Sequence, residues 1–410
     1  MDKPEFNPRL RVSPVPVEVQ GKRMLIFQDP EGFTEETVLM PLEAAAIVQF
    51  FDGTRSVREI QEELMRQSGQ LIDTELIQEV VNQLDERLLL ESPRFYAHVK
   101  KLNDDWEREP VRPASHAGLS YPDQPDELKK FLDGFYTAPD GPGSLPGPAR
   151  PLGLKAIVAP HMDLRDSGPV CAFAYKRLAE ETDADTFVIF GTGHNEPQRL
   201  FVMSDKDYAT PLGTAAADRE LIDRTRRLMS DRNPPRDYVH KDEHSIEFAV
   251  LLLQHALSGR FFRIVPVLCS GVAANVAVRD PQGNDPAFKD FIGGLTTALS
   301  ELGRKVCFIA SADLAHLGPR YGDKEHWAAV RMAEEEKIDR DMLAPALTGD
   351  RDGFFNAIAA IGDRRRVCGL PPIYATMSAS GATQASLLKW SYWHDRETQS
   401  VVTFAAMSLY

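Results

Sequence analysis

Three imidazoles and a carboxylate stand where apolar runs of the sequence stop. His161 directly follows the run 154–160. His194 follows the run 186–191 through Gly191-Thr192-Gly193, and Asp313 and His316 follow 305–311. If these runs are neighbouring strands of one sheet, the polar residues gather at its carboxyl edge, where open α/β sheets bind ligands. Convergent imidazoles there suit a divalent transition metal. Cys368 is the fourth participant, ahead of Ser311. It follows Arg364-Arg365-Arg366-Val367, cations that would lower a thiol pKa and favour the thiolate. A thiolate with imidazoles suits iron, copper or zinc. The plain alternatives are a capping or core role for each histidine and a buried structural role for the cysteine.

Two rival chemistries can be weighed on the same residues. No serine stands in a G-x-S-x-G elbow, which argues against a nucleophilic triad. His240-Lys241-Asp242-Glu243-His244 matches the H-x-x-E-H pattern of a zinc hydrolase. On a helix it would set two imidazoles on one face. Pro234 and Pro235 lie just upstream, and the helix is expected to start near Ser245, so His240 would precede it. His244 and Glu247, three apart, could instead face the sheet edge and orient metal ligands.

The elements that must position these groups follow from periodicity. Continuous apolar runs at 154–160, 186–191, 262–268 and 305–311 predict buried strands. Helices are expected at 167–181, 219–228, 245–257 and 286–302, with a last strand at 400–407. Strands alternating with helices predict an α/β domain with a largely parallel sheet. Ahead of it, residues 1–95 read as a small α+β module resembling a winged helix. Its strands are expected at 10–19 and 23–27, and helices open at Pro41, Ser56 and Asp73, with a closing strand at 88–90. Residues 96–115, a polar helix followed by Pro110 and Pro113, read as the connector to a domain spanning 116–410. In 137–153, nine of 17 residues are Gly or Pro, which predicts a mobile loop or linker, or else a surface insertion if the helix before it does not belong to the first module.

Composition narrows the function classes. The net charge is −14, and the third helix of the first module carries Asp73, Glu75, Glu79, Asp85 and Glu86. Neither suits a nucleic-acid partner bound through its phosphates or an anionic membrane surface. No apolar run reaches the length of a spanning helix, and residues 1–10 hold no apolar signal core. Four cysteines, widely spaced and without a C-x-x-C pair, predict a reducing, cytoplasmic setting.

The chain resembles the Memo family, also called protein B of the AmmeMemoRadiSam system. The resemblance rests on Ala159-Pro160-His161, Gly168-Pro169-Val170, Gly191-Thr192-Gly193-His194 and Thr210-Pro211-Leu212-Gly213. It continues in Glu243-His244-Ser245-Ile246-Glu247, Ser311-Ala312-Asp313-Leu314-Ala315-His316 and Cys368-Gly369. It implies a fold like that of the class III extradiol dioxygenases, which use non-haem iron at this sheet edge. By resemblance, His161, His194 and Cys368 match the metal-binding positions. His316 matches an acid/base histidine and Asp313 its neighbour. His244, Glu247 and Glu243 would stand behind them. Iron is the expected ion, with copper second and zinc third, in a dioxygenase-like oxidoreductase. Met162-Asp163-Leu164-Arg165 departs from the family pattern, and Asp163 offers either an oxygen ligand or a salt bridge to Arg165. The cysteine stands where the dioxygenases use a carboxylate. The first module is similar to the PqqD-like fold, which implies a peptide or protein bound there and a radical SAM protein as partner. A metal-binding adaptor without turnover is the alternative.

Overall fold

The computed structural model describes residues 6–29, 32–34, 36–195, 199–230, 237–327 and 331–410. The chain divides into two compact units, Met1–Arg108 and Glu109–Tyr410.

The first unit carries a three-stranded antiparallel sheet in the order Val15–Val19, Lys22–Phe27, Val38–Pro41. Its helices are held by local chemistry. Ser56 and Glu59 form a reciprocal capping box at the start of Val57–Ser68, and Gly69 ends that helix in the left-handed conformation. Asp73 caps Thr74–Glu86 through the Glu75 amide at 3.0 Å. Ile60, Leu64, Ile77, Val81 and Leu84 bury one stripe of each helix against Leu25 and Phe27 of the sheet. Pro41 ends the third strand, where Val38 and Met40 alternate inward, and caps the helical stretch 42–48 that follows it directly. Residues 88–90 form no strand; Leu90 makes an isolated bridge to Leu10, and Leu89 and Leu90 are both buried. The helix expected within the connector is Pro93–Arg108, which buries Phe95 and Trp106 and belongs to the first unit. The Val111–Arg112 strand after it belongs to the second.

The second unit is built on a mixed sheet whose centre is parallel. Four strands run side by side in the order Ala156–Ala159, Val306–Ser311, Thr186–Thr192, Arg263–Cys269. Each is buried on both faces, so each reads as an unbroken apolar run. The pleat sorts their side chains between two cores. Val158, Val188, Phe190, Phe308 and Ala310 pack with helices Pro286–Leu302 and Leu370–Ser380. Ile157, Phe187, Ile189 and Ile309 pack with Leu164–Glu181 and His244–Ala256. Register places Ser311 beside both Ala159 and Gly191. Three chain segments therefore leave the sheet at one level of one edge.

Ser400–Leu409 flanks the Ala156–Ala159 strand in antiparallel fashion, and Ala385–Asp395 pairs outside it. Apolar runs did not reveal Ala385–Asp395 or the hairpin Asp207–Thr210 and Gly213–Ala217, because these strands are only partly buried. The Gly/Pro-rich stretch 137–153 is not a linker between units. It lies within the second unit and is pinned along Leu164–Glu181: the Gly147 amide donates to Glu180 at 2.7 Å, and the Leu152 amide to the Glu181 carbonyl at 3.0 Å. No described helix is long and apolar enough to cross a membrane.

Candidate metal centre

Two segments leaving the sheet edge bring His161 and His194 together with Cys368, which stands in the turn before the Leu370–Ser380 helix, with one ligating atom from each within 4.8 Å of the others. His161 Nε2 lies 3.5 Å from Cys368 Sγ. Two atoms about 2.0 and 2.3 Å from a shared ion, at a tetrahedral angle, stand about 3.5 Å apart. The donor set, two imidazoles and a thiol, is that of a borderline-soft metal.

Hydrogen bonding decides which ring nitrogen each imidazole offers. His161 Nδ1 donates to the Ser311 carbonyl at 2.9 Å, leaving Nε2 toward the cysteine. His194 Nδ1 donates to the Glu243 carboxylate at 3.0 Å, and the His194 amide donates to the same carboxylate at 3.0 Å. Glu243 also caps the His244–Ala256 helix through the Ser245 amide. His244 follows directly, and its ring stacks on that of His194 at 4.9 Å.

Two glycines allow close approach at the site: Gly369 lets the chain after Cys368 pass against Asp313, and Gly191 lets the His244–Ala256 helix pack on the strand that leads to His194. A Cβ on Gly369 would lie 2.3 Å from the Asp313 carbonyl, and one on Gly191 would lie 2.6 Å from Ser245 Oγ. Asp313 is buried and holds His161 rather than His316: Oδ1 accepts the His161 amide at 3.1 Å, and Oδ2 lies 3.4 Å from His161 Nε2. His316 is oriented by main chain, with Nδ1 facing the carbonyls of Leu314 and Arg366 at 3.2 and 3.1 Å. Its ligating nitrogen is within 4.8 Å of both Cys368 Sγ and the Asp313 carboxylate. Tyr321, which carried no signal in the sequence, stands edge-on to the His316 ring at 5.0 Å. Beside it opens a cavity of about 500 Å³ lined by Met162, Asp163, Arg165, Arg320, Tyr321 and Trp393.

Other expected residues lie elsewhere. Glu247 does not face the sheet edge; its carboxylate is fully buried against Arg112 and Tyr121. Asp163 caps the Leu164–Glu181 helix and pairs with Arg165, the salt-bridge outcome. His240 sits in a turn ahead of the His244–Ala256 helix, with Nε2 donating to the Val202 carbonyl at 2.9 Å and Nδ1 accepting from Tyr208 at 2.7 Å. Both its nitrogens are occupied, so the H-x-x-E-H set does not assemble as a zinc site. Pro234 and Pro235 lie outside the described residues.

The arginine run does not activate the cysteine. Arg365 turns into a buried pair with Glu335 and Asp339, and Arg366 pairs with Asp323. Burial pushes the Cys368 thiol up, but the imidazoles of His161 and His316 outweigh it and bring it down to about 5. Burial opposes protonation of His161, yet Asp313 and Cys368 raise it to about 9. Burial likewise opposes protonation of His194, but hydrogen bonds to Cys368 and Glu243 raise it to about 10. Burial holds His244 down at about 3, against the pull of Glu243.

A pH profile follows for the metal-free chain. Alkylation of Cys368 should rise through pH 5, whereas burial has pushed Cys171 and Cys307 up to about 12. The thiolate stabilises the fold fully above its ordinary value near 9, and that contribution is lost as pH falls through 5. The imidazoliums contribute fully below 6.5 and lose their contribution as pH rises through 9 to 10. Iodoacetamide labelling followed by mass spectrometry checks the first claim. An inflection near 9 would refute it.

A family model described as Memo-like protein matches residues 112–408. A MEMO1 family protein of Aquifex aeolicus is 26% identical over 389 residues, covering 94% of this chain and 96% of its own length. One from Methanopyrus kandleri is 31% identical over 303 residues, covering 71% of this chain and 96% of its own. One from Ignicoccus hospitalis is 30% identical over 308 residues, covering 72% and 98%.

Proposed function

The chain belongs to the Memo-like protein family, and from that premise we propose that its larger unit is a metal-dependent oxidoreductase. On this reading it holds iron, with copper as the alternative, and works beside a radical SAM protein in a reducing, cytoplasmic setting. The observation that carries the reading is the approach of His161 Nε2 to Cys368 Sγ, 3.5 Å, with His194 closing the set. Iron held there would supply Lewis acidity and one-electron chemistry. The residues do the rest. His161 and His194 present Nε2 because the Ser311 carbonyl and Glu243 occupy Nδ1. Asp313 keeps His161 in place. His316, with Nδ1 bound to carbonyls, takes up and returns a proton at Nε2. The cavity beside Tyr321 admits the substrate.

The first unit, on the same reading, takes up a peptide or partner protein by strand addition. Val15–Val19 is the outer strand of its sheet and is largely exposed. A metal-binding adaptor without turnover is the second reading. It is favoured by the His194 side chain, which keeps 36% of its surface in solvent and could hand an ion to a partner.

Metal analysis of anaerobically purified protein tests the proposal. The expected result is about one iron per chain, kept in His240→Ala and accompanied by O2 consumption. Zinc as the resident ion, lost in His240→Ala, would overturn it; iron without any turnover would leave the adaptor.

A further inference from the structure

Glu243 can hold His194 only if the turn before it follows one path. That turn is held from outside. Four successive carbonyls, His240 to Glu243, each face a donor from the segment 112–116. Arg112 Nε donates to the His240 carbonyl at 2.9 Å, and Ser115 Oγ lies 3.0 Å from the Lys241 carbonyl. His116 Nε2 lies 3.0 Å from the Asp242 carbonyl, and Arg112 Nη2 donates to that of Glu243 at 3.0 Å. The same segment also reaches Glu247, which accepts from Arg112 and from the His116 amide at 3.0 Å, with Tyr121 as a further donor. Arg112 and Glu247 are both fully buried. A buried ion pair is weak evidence for stability and is better understood as fixing one arrangement among several.

We propose that Arg112, Ser115 and His116 form a clamp on the His240–Glu243 turn whose task is to hold the Glu243 carboxylate on His194 Nδ1. These are positioning residues; none touches an ion or a substrate. The proposal rests on the metal-site reading for its purpose and for one of its two readouts; the proton readout is independent of it. Orienting partners of a metal-bound histidine commonly set 10–100-fold in affinity, and the clamp acts one step further out, through Glu243.

Four full-length variants decide it: Arg112→Met/Glu247→Leu, Ser115→Ala/His116→Phe, Glu243→Gln and His194→Gln. The first double variant removes both buried charges together, so that neither is left unpaired, and thermal unfolding confirms that each variant folds. Two readouts are taken. One is the downfield proton resonance of His194 Nδ1 in the metal-free chain, assigned by its absence from His194→Gln. The other is Co2+ affinity, followed by thiolate-to-cobalt absorbance. The clamp predicts that both double variants lose the protected proton and bind Co2+ about 10–100-fold more weakly, as Glu243→Gln does. Folded double variants that keep the proton and bind Co2+ as the native chain does would overturn it. If the native chain takes up no Co2+, the metal reading fails, and the proton resonance alone still decides the clamp.

Discussion

His161→Ala and Cys368→Ala should each strip the ion from the purified protein, whereas His316→Ala should keep it and lose turnover. A residue that merely orients a ligand costs about 10–100-fold in affinity when removed. A residue that supplies the donor atom should cost more than that, enough to leave the site empty through purification. His161 and Cys368 supply such atoms, 3.5 Å apart and both largely shielded from water. His316 stands within 4.8 Å of the Cys368 sulfur but outside the His161, His194 and Cys368 group, with one ring nitrogen already bound to carbonyls. Removing an acid or base typically lowers the rate by about 10²–10⁴ without removing binding energy for the ion. Metal content and O2 consumption measured on the same three variants separate these roles. If His316→Ala alone comes out metal-free, His316 is a ligand and the division is wrong.

The second large effect is one of stability. Arg365→Met should destabilise the larger unit by about 3–5 kcal/mol, because it leaves two carboxylates buried without their cation. Glu335 and Asp339 are 1% and 0% exposed, and Arg365 pairs with them at 2.5 and 2.8 Å. The loss should lower the melting temperature by on the order of 10 °C. The turn around Arg365 is itself constrained: Asp363 and Arg366 have φ of 46° and 52°, in the left-handed region that favours glycine. The Arg365 carbonyl accepts the His316 amide at 2.7 Å, and Cys368 follows three residues later. Arg365→Met should therefore also loosen His316 and Cys368. The triple change Arg365→Met/Glu335→Gln/Asp339→Asn, which removes the unpaired charge, should recover most of the stability. Calorimetry on the single and triple variants checks both claims, and a single variant that melts like the native chain would refute them.

The parts of this architecture that were legible in the sequence are those set by burial on both faces. The four central strands read as unbroken apolar runs, so their ends, and with them His161, His194 and Asp313, could be placed at one edge. Less legible was which neighbour each polar group would choose. Glu243 and Glu247 both precede or begin the same helix, but Glu243 occupies the cap and turns back to His194. Glu247 lies one turn along and turns to Arg112 instead. No local pattern announces a fully buried arginine 135 positions from its carboxylate. The arginines before Cys368 misled for the same reason, since adjacency in sequence does not fix where a long side chain points. Partly buried strands such as Ala385–Asp395 lack the continuous apolar signal altogether.

The place of the Ala156–Ala159 strand bears on how the protein is made. It leads directly into His161, yet its two neighbours in the sheet are Val306–Ser311 and Ser400–Leu409. The second of these begins 241 positions after Ala159 in the sequence. Until it is made, one edge of the Ala156–Ala159 strand waits unpaired, which is the condition that invites wrong pairing and chaperone capture. Contacts so distant in sequence also close slowly. His161, His194 and Cys368 therefore come together only once segments about 200 residues apart have paired, which makes the candidate site a late product of folding.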